Sequence, residues 1–409
     1  MPPGGRQRLP AGIWALGFVS LLADIGSEMV HSLLPVFLVT VAGASMLTIG
    51  VIEGVAEATA LIVKVFSGVL SDCFGRRKPL AVLGYGLGAA AKLLFALAST
   101  AEVVFGARFL DRIGKGIRGA PRDALIADIS PPEQRGAAFG LRQSLNTVGA
   151  FIGPVLAMAL MLLWANDFHA VFWVAAVPAA LSVVVLVLGV REPAARDVPR
   201  RFNPVSRHNL RQLSPGYWWV VAIGATLTLS RFSEAFLVLR LHEGGLPLAY
   251  APLVLVAMNV VYAALAYPFG KLSDSTRHST LLAWGVAVLL VADGMLAWSN
   301  HWTWGWAGVS FWGLHMAMTQ GLLAAMVAGA APAPLRGTAF GLFNLVSGVA
   351  MLLASVCAGF LWELQGARAT FIAGAVFGAV ALVLLLVYRV SEPPKDQADP
   401  GPGAATRPR

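Results

Sequence analysis

EQRGAAFGL at residues 133–141 returns as PLRGTAFGL at 334–342, an offset of 201. GVLSD at 68–72 returns as GKLSD at 270–274, an offset of 202. Ser27-Glu28 has a counterpart in Ser233-Glu234. Similar offsets at separate places mean that one layout is used twice, in parallel. Apolar runs of helix length lie around these repeats, divided by Gly, Pro and charge clusters. They predict helices over 12–40, 47–71, 79–98, 102–129, 136–163 and 168–190. A second set of six follows over 216–240, 248–272, 279–299, 303–331, 337–362 and 367–389. The expected organisation is an N-terminal bundle at 1–190, a basic cytoplasmic linker at 191–215, a C-terminal bundle at 216–389 and a disordered polar tail at 390–409.

Of the 409 residues, 57% are hydrophobic and only 12% are charged. That composition belongs to an integral membrane protein. Runs of this length fit an all-α bundle; the strands of an outer-membrane barrel would alternate over shorter segments. The net charge of +9 is spread unevenly. Lys and Arg crowd one set of loops, at Arg76-Arg77-Lys78, Arg135, Arg191 to Arg211, Lys271, Arg277 and Arg336. The alternate loops at 40–46, 99–102, 164–169, 241–248 and 299–303 have none. This is the positive-inside pattern, with both termini cytoplasmic and many passes through a bacterial-type inner membrane. The basic balance therefore reads as insertion, and no nucleic-acid partner is expected. Cys73 and Cys357 suggest neither a disulfide nor a metal set. The first apolar run continues past Asp24 and Glu28 without a small-residue cleavage pattern, so it reads as a helix and not as a removed signal.

The fourth run carries Arg108, Arg112, Lys115, Arg118 and Arg122 at spacings of 4, 3, 3 and 4, which share one helix face. One charge at a bilayer centre costs about 2.5–3.5 kcal/mol, so five uncompensated charges would cost about 12–17 kcal/mol. The stripe must therefore meet acids or a hydrated cavity. Candidate acids stand on helix 1 (Asp24, Glu28, with His31) and helix 2 (Glu53, Glu57), each set on one face. Held in low dielectric, such groups suit proton coupling. From 12 to 163, cytoplasmic loops aside, eight cations stand against eight acids, which also permits a purely structural network. At the 201 offset, Asp111, Arg112, Lys115 and Arg118 become Trp312, Gly313, Met316 and Thr319, so the stripe is absent from the second half. That half offers Arg231 and Glu234, spaced to pair at i,i+3, with Trp312, His315 and Gln320. A cavity between the halves would have an ionic wall and an aromatic wall.

Gly68-Val-Leu-Ser-Asp72-Cys-Phe-Gly75-Arg76-Arg77-Lys78 resembles the signature loop of the major facilitator superfamily, and Gly270 to Asp274 falls where that family has its second copy. The resemblance covers the whole membrane region. It implies twelve transmembrane helices in two pseudo-symmetric six-helix bundles, alternating access, and a gating role for Gly68, Asp72, Gly75, Arg76, Arg77, Gly270 and Asp274. Arg108, Asp111 and Gly114 look like the family's helix 4 motif, with Arg112 in place of a glycine. Gly149 to Pro154 resembles the core of its antiporter motif, although Ala157-Met158 stand where a glycine pair is usual.

The expected function is secondary transport by alternating access, as proton-coupled antiport (efflux) of an organic amphiphilic or anionic compound. The alternatives are proton symport of an anionic solute or chelate, metal-ion export, and a non-transporting membrane sensor. No nucleophile–base pair, cofactor or resident metal set emerges, so no enzyme is expected. A monomer working on a small molecule and protons in the lipid bilayer is the expected unit.

Overall fold

A computed structural model describes residues 9–74, 76–131, 134–192, 212–332 and 335–391. Its first half contains α1 (Ala11–Thr40), α2 (Met46–Phe74), α3 (Lys78–Leu97), α4 (Ala101–Ile129), α5 (Arg135–Leu163) and α6 (Phe168–Gly189). The second contains α7 (Pro215–Ser230), α8 (Ala235–Glu243), a 3₁₀ turn (Leu248–Tyr250), α9 (Pro252–Ser275) and α10 (His278–Trp298). It ends with α11 (Trp302–Thr319), α12 (Leu322–Ala330), α13 (Arg336–Gln365) and α14 (Ala367–Ser391). No strand occurs among the described residues. The expected linker and tail fall mostly outside them.

Among the described residues, eleven spans are long and apolar enough to cross a membrane, with α7–α8 forming one and α11–α12 another. The twelfth, α4, lacks a sufficiently apolar window because of its charges, yet its 29 residues packed against α2 and α3 reach about 43 Å at 1.5 Å per residue. The helices start where expected. Pro stands in the first turn of α3, α7 and α9, where its missing N–H costs nothing. Asp167 caps α6 by accepting from the Ala170 amide at 3.0 Å, and Ser214 caps α7 by accepting from the Tyr217 amide at 3.2 Å.

Two interruptions depart from the sequence reading. The seventh span breaks at Arg231–Glu234, between α7 and α8. The tenth breaks at Gln320–Gly321, where Gly321 sits at φ +88°. Among the described residues, Arg231 and Glu234 have no ion pair within 4.0 Å. The i,i+3 pairing expected from a continuous helix is lost because the chain leaves helical geometry between them.

Lipid tails supply no hydrophobic force between helices, so close approach must come from small residues. α3 and α4 meet this way: a Cβ on Gly84 would lie 2.7 Å from the Gly114 carbonyl oxygen, and one on Gly114 would lie 2.6 Å from the Gly84 oxygen. The halves join along α2 and α13, and again at the end opposite the termini. There α1 packs on α8, α5 packs on the 3₁₀ turn, and the Leu47 amide donates to Glu363 Oε2 at 3.1 Å. Gly114→Val should overpack the α3–α4 seam by about 1–3 kcal/mol. A thermal unfolding curve in detergent checks this; an unchanged midpoint would contradict the packing described.

Candidate functional site

α2 and α4 run side by side, and their charges meet in register. Glu53 and Glu57 are four residues apart, as are Arg108 and Arg112. An Arg108 terminal nitrogen lies 2.8 Å from Glu53 Oε2 and 3.8 Å from Glu57 Oε1, and an Arg112 nitrogen lies 3.4 Å from that same Glu57 oxygen. On the α3 side, Lys92 Nζ bonds Asp111 Oδ1 at 2.5 Å, both groups being buried. Arg118 is buried with its guanidinium 4.7 Å from the Tyr85 ring centre, a cation–π contact. Arg122 pairs with neighbouring Asp123 at 3.0 Å. The stripe is thus shared among several neighbours. Lys115 alone of its five members is exposed, and among the described residues it has no carboxylate within 4.0 Å.

What Lys115 faces is a cavity of about 380 Å³ between the halves. The first half lines it with Glu28 and His31 of α1, Glu57 of α2, Arg112 and Lys115 of α4 and Ala150 of α5. The second lines it with Arg231, Phe232, Ser233 and Glu234 from the first helix break, Asn259 of α9, Trp312 of α11, Gln320 from the second break and Met351 of α13. Both interruptions open onto this space. Irregular backbone at membrane depth is tolerated where it lines a cavity or lies buried in protein. The halves are also tied here, where Ser233 Oγ donates to Glu53 Oε2 at 3.2 Å; within the second half, the Ser233 amide donates to Ser355 Oγ at 3.2 Å.

Nine residues singled out from the sequence converge on this cavity: Glu28, His31, Glu57, Arg112, Lys115, Arg231, Glu234, Trp312 and Gln320. His31 Nδ1 lies 3.4 Å from Glu28 Oε2. Others are placed elsewhere. Asp24 is half-buried one turn from Glu28 and does not line the cavity. Glu53, Arg108 and Asp111 are committed to the buried ion pairs, and His315 is buried with Nδ1 2.8 Å from the Gly285 carbonyl oxygen. The second wall is less apolar than expected, since Arg231, Glu234, Asn259 and Gln320 stand beside the rings. Phe232 and Asn259 are lining residues that the sequence pattern does not single out. Gly321, whose left-handed φ favours glycine, is the one sequence mark of the second break; nothing in Arg231-Phe-Ser-Glu marks the first. Among the described residues no three His, Cys, Asp or Glu side chains are grouped to hold a metal ion.

Of the loop residues expected to gate, Gly75 lies outside the described residues, and the side chains of Asp72 and Asp274 do too, as does Gly68 beyond its place in α2. Arg76 and Gly270 are exposed. Arg77 pairs with Asp128 and donates to the Ala124 carbonyl at 2.9 Å. Glu192 accepts from the Arg77 and Lys78 amides at 2.8 and 2.9 Å, satisfying donors at the start of α3. In α5 the motif-like Gly149 and Gly153 admit the backbone of α1, whose Leu21 and Ile25 carbonyl oxygens stand 2.7 and 2.8 Å from where their Cβ atoms would be.

The family description Major Facilitator Superfamily matches residues 16–349 and 241–408. An uncharacterized MFS-type transporter of Methanocaldococcus jannaschii is 31% identical over 388 residues, covering 93% of this chain and 95% of its own. The inner membrane transport protein YajR of Escherichia coli is 25% identical over 407 residues, 96% of this chain and 85% of its own. The multidrug resistance protein MdtH of Yersinia pestis is 29% identical over 170 residues, 42% of this chain and 41% of its own. Among solved structures, a POT family transporter in complex with 5-aminolevulinic acid superposes with a TM-score of 0.77 at 13% identity, covering 95% of this chain and 98% of that one. A mutant of the nucleoside transporter NupG gives 0.76 at 14% identity over 92% and 99%.

Removing one member of a buried ion pair strands its mate, at about 3–5 kcal/mol. Lys92→Met should therefore destabilise strongly, and Lys92→Met with Asp111→Leu should recover most of the loss. Denaturation midpoints of the three proteins measure this; equal losses in the single and double variants would contradict it.

Proposed function

The chain belongs to the major facilitator superfamily, and on that footing we propose that this transporter exchanges protons for an organic amphiphilic compound bearing an acidic group, and so exports it. One observation carries the reading. Lys115 and Arg231, from opposite halves, face one cavity without a carboxylate within 4.0 Å among the described residues, beside the Phe232 and Trp312 rings. The rings suit an apolar body and the two cations suit an acidic group. About 380 Å³ fits a small organic molecule.

Protons enter through carboxylates of the same cavity. Glu28 next to His31, and Glu234 at the helix break, accept either a proton or a hydrogen-bond donor from the solute. Occupation by one excludes the other, and binding that is mutually unfavourable is what exchange requires. Asp24 stands one turn from Glu28 on α1, and the Glu53–Arg108 pair is joined to the helix break through Ser233. The contacts between halves at the end opposite the termini make this a conformation closed on that face. With the positive-inside loops facing the cytoplasm, the closed face is the outer one. The two bundles expected from the sequence, at 1–190 and 216–389, then become the pair of bodies that rock about the cavity.

A second reading, proton symport of an anionic solute, draws on the same two cations. A proton on Glu28 raises the positive potential of the cavity and favours an anion, so both would travel together. Transport under an imposed pH gradient in liposomes separates the two readings by direction.

Lys115→Gln and Arg231→Gln should each weaken solute binding about tenfold, the loss of one charge-assisted hydrogen bond, at an unchanged melting temperature. A thermal-shift screen for ligands followed by titration checks this; unaltered affinity would overturn the substrate assignment. Glu28→Gln should abolish gradient-driven movement while leaving counterflow exchange. Driven transport at the normal rate would remove Glu28 from the coupling path.

A further inference from the structure

Outside the cavity, α10 carries one carboxylate that takes no part in solute binding or in the Glu28–His31 wall. Asp293 is fully buried, and neither of its oxygens has a hydrogen-bond partner among the described residues. Its surroundings are defined by Gly374 of α14. A Cβ there would stand 3.1 Å from Asp293 Oδ2, 3.0 Å from the Phe232 ring and 3.4 Å from the Ser230 carbonyl oxygen. The Asp293 carboxyl group, the carbonyl of the last residue of α7 and the first ring of the helix break thus all face the same Gly374 surface. Because α7 stops at Ser230, no amide four residues on is bonded to that carbonyl.

Among the described residues, the elements packed on α10 offer no counter-ion here. α11 brings one titratable residue, His315, which is bound to Gly285 two turns earlier on α10. α12 brings none, and α14 brings Arg368 over Trp298, with Tyr388 and Arg389 toward its other end. α7 contributes only Tyr217, which donates to the Ala339 carbonyl. From α8, Arg240 donates to the carbonyls of Leu296, Ala297 and Ser299 at the end of α10 and pairs with Glu243 at 3.4 Å, and His242 is turned to the Leu246 carbonyl. At the break, Arg231 and Glu234 line the cavity. A charged carboxylate in this setting would be desolvated and uncompensated, which a membrane interior does not tolerate. A neutral carboxylic acid needs only one acceptor, and the Ser230 carbonyl faces the same Gly374 surface.

We propose that Asp293 is a proton-binding site in the second half, loaded in this conformation, and that its discharge reshapes the α7–α8 break. Once the proton leaves, the bare carboxylate requires water or a cation. The residue after Ser230 is Arg231, so meeting the new charge moves the segment that forms one wall of the cavity. The site is separate from the Glu28–His31 wall and does not depend on which solute is carried.

Infrared difference spectra of the full-length protein in lipid, taken between acid and alkaline pH, test this. Wild type should lose a protonated-carboxylic-acid band on alkalinisation, with a change in the amide region, and Asp293→Asn should lack both. An identical band in Asp293→Asn would overturn the proposal, as would a wild-type spectrum with no pH-sensitive acid band. If Asp293→Asn does not fold, Asp293→Glu serves: a band displaced in frequency supports the assignment and one at the wild-type frequency defeats it. Failure of every solute in the liposome assay would sink the transport reading while leaving this measurement intact.

Discussion

An uncompensated charge in a low-dielectric interior is the constraint on which this structure depends. The cost is large enough that each buried charge on α4 has a visible answer. Arg108 and Arg112 meet two glutamates on α2, Asp111 meets Lys92 on α3, and Arg118 lies over Tyr85. These contacts fix how the helices of the first half stand against one another. They also define by subtraction the groups left for chemistry: Lys115 and Arg231, which face open space between the halves.

The halves solve the problem of building a site differently. The first keeps its helices continuous and supplies charge from side chains. The second has little charge in its spans and supplies irregular backbone, with α7–α8 and α11–α12 interrupted at the cavity. Ser233 joins the two solutions. It sits in the break, its amide bonds α13, and its hydroxyl bonds the Glu53 carboxylate that also holds Arg108. A change in the charge of Glu53 would thus be felt on α4 and at the helix break together. That is the kind of link a rocking transporter requires.

Much of this is legible in the sequence, for identifiable reasons. Helix ends are marked by Pro, Gly and charge, and the repeats carry the two-part layout. The basic stripe is legible as a shared face because periodicity alone determines it. What each member meets is not, since Glu53, Tyr85 and Lys92 are remote in sequence and only packing brings them near. The break at Arg231–Glu234 leaves no trace either. No Gly or Pro occurs there, and the interruption is held by contacts to Glu53 and Ser355 from other helices. Tertiary structure overrides local propensity at that point. The same break undoes the i,i+3 pairing expected of Arg231 and Glu234, and it is why Phe232 and Ser233 line the cavity.

Alternate closure of two bodies around one cavity can be read from distances between spin labels on the full-length protein in lipid, with one pair at Gly136 and Ser275 and another at Trp164 and Tyr250. These positions are exposed at the two ends of α5 and the neighbouring α9 region. Rocking predicts two populations for each pair, with a change of pH shortening one distance as it lengthens the other. A single distance for both pairs, unmoved by pH or by ligand, would contradict it.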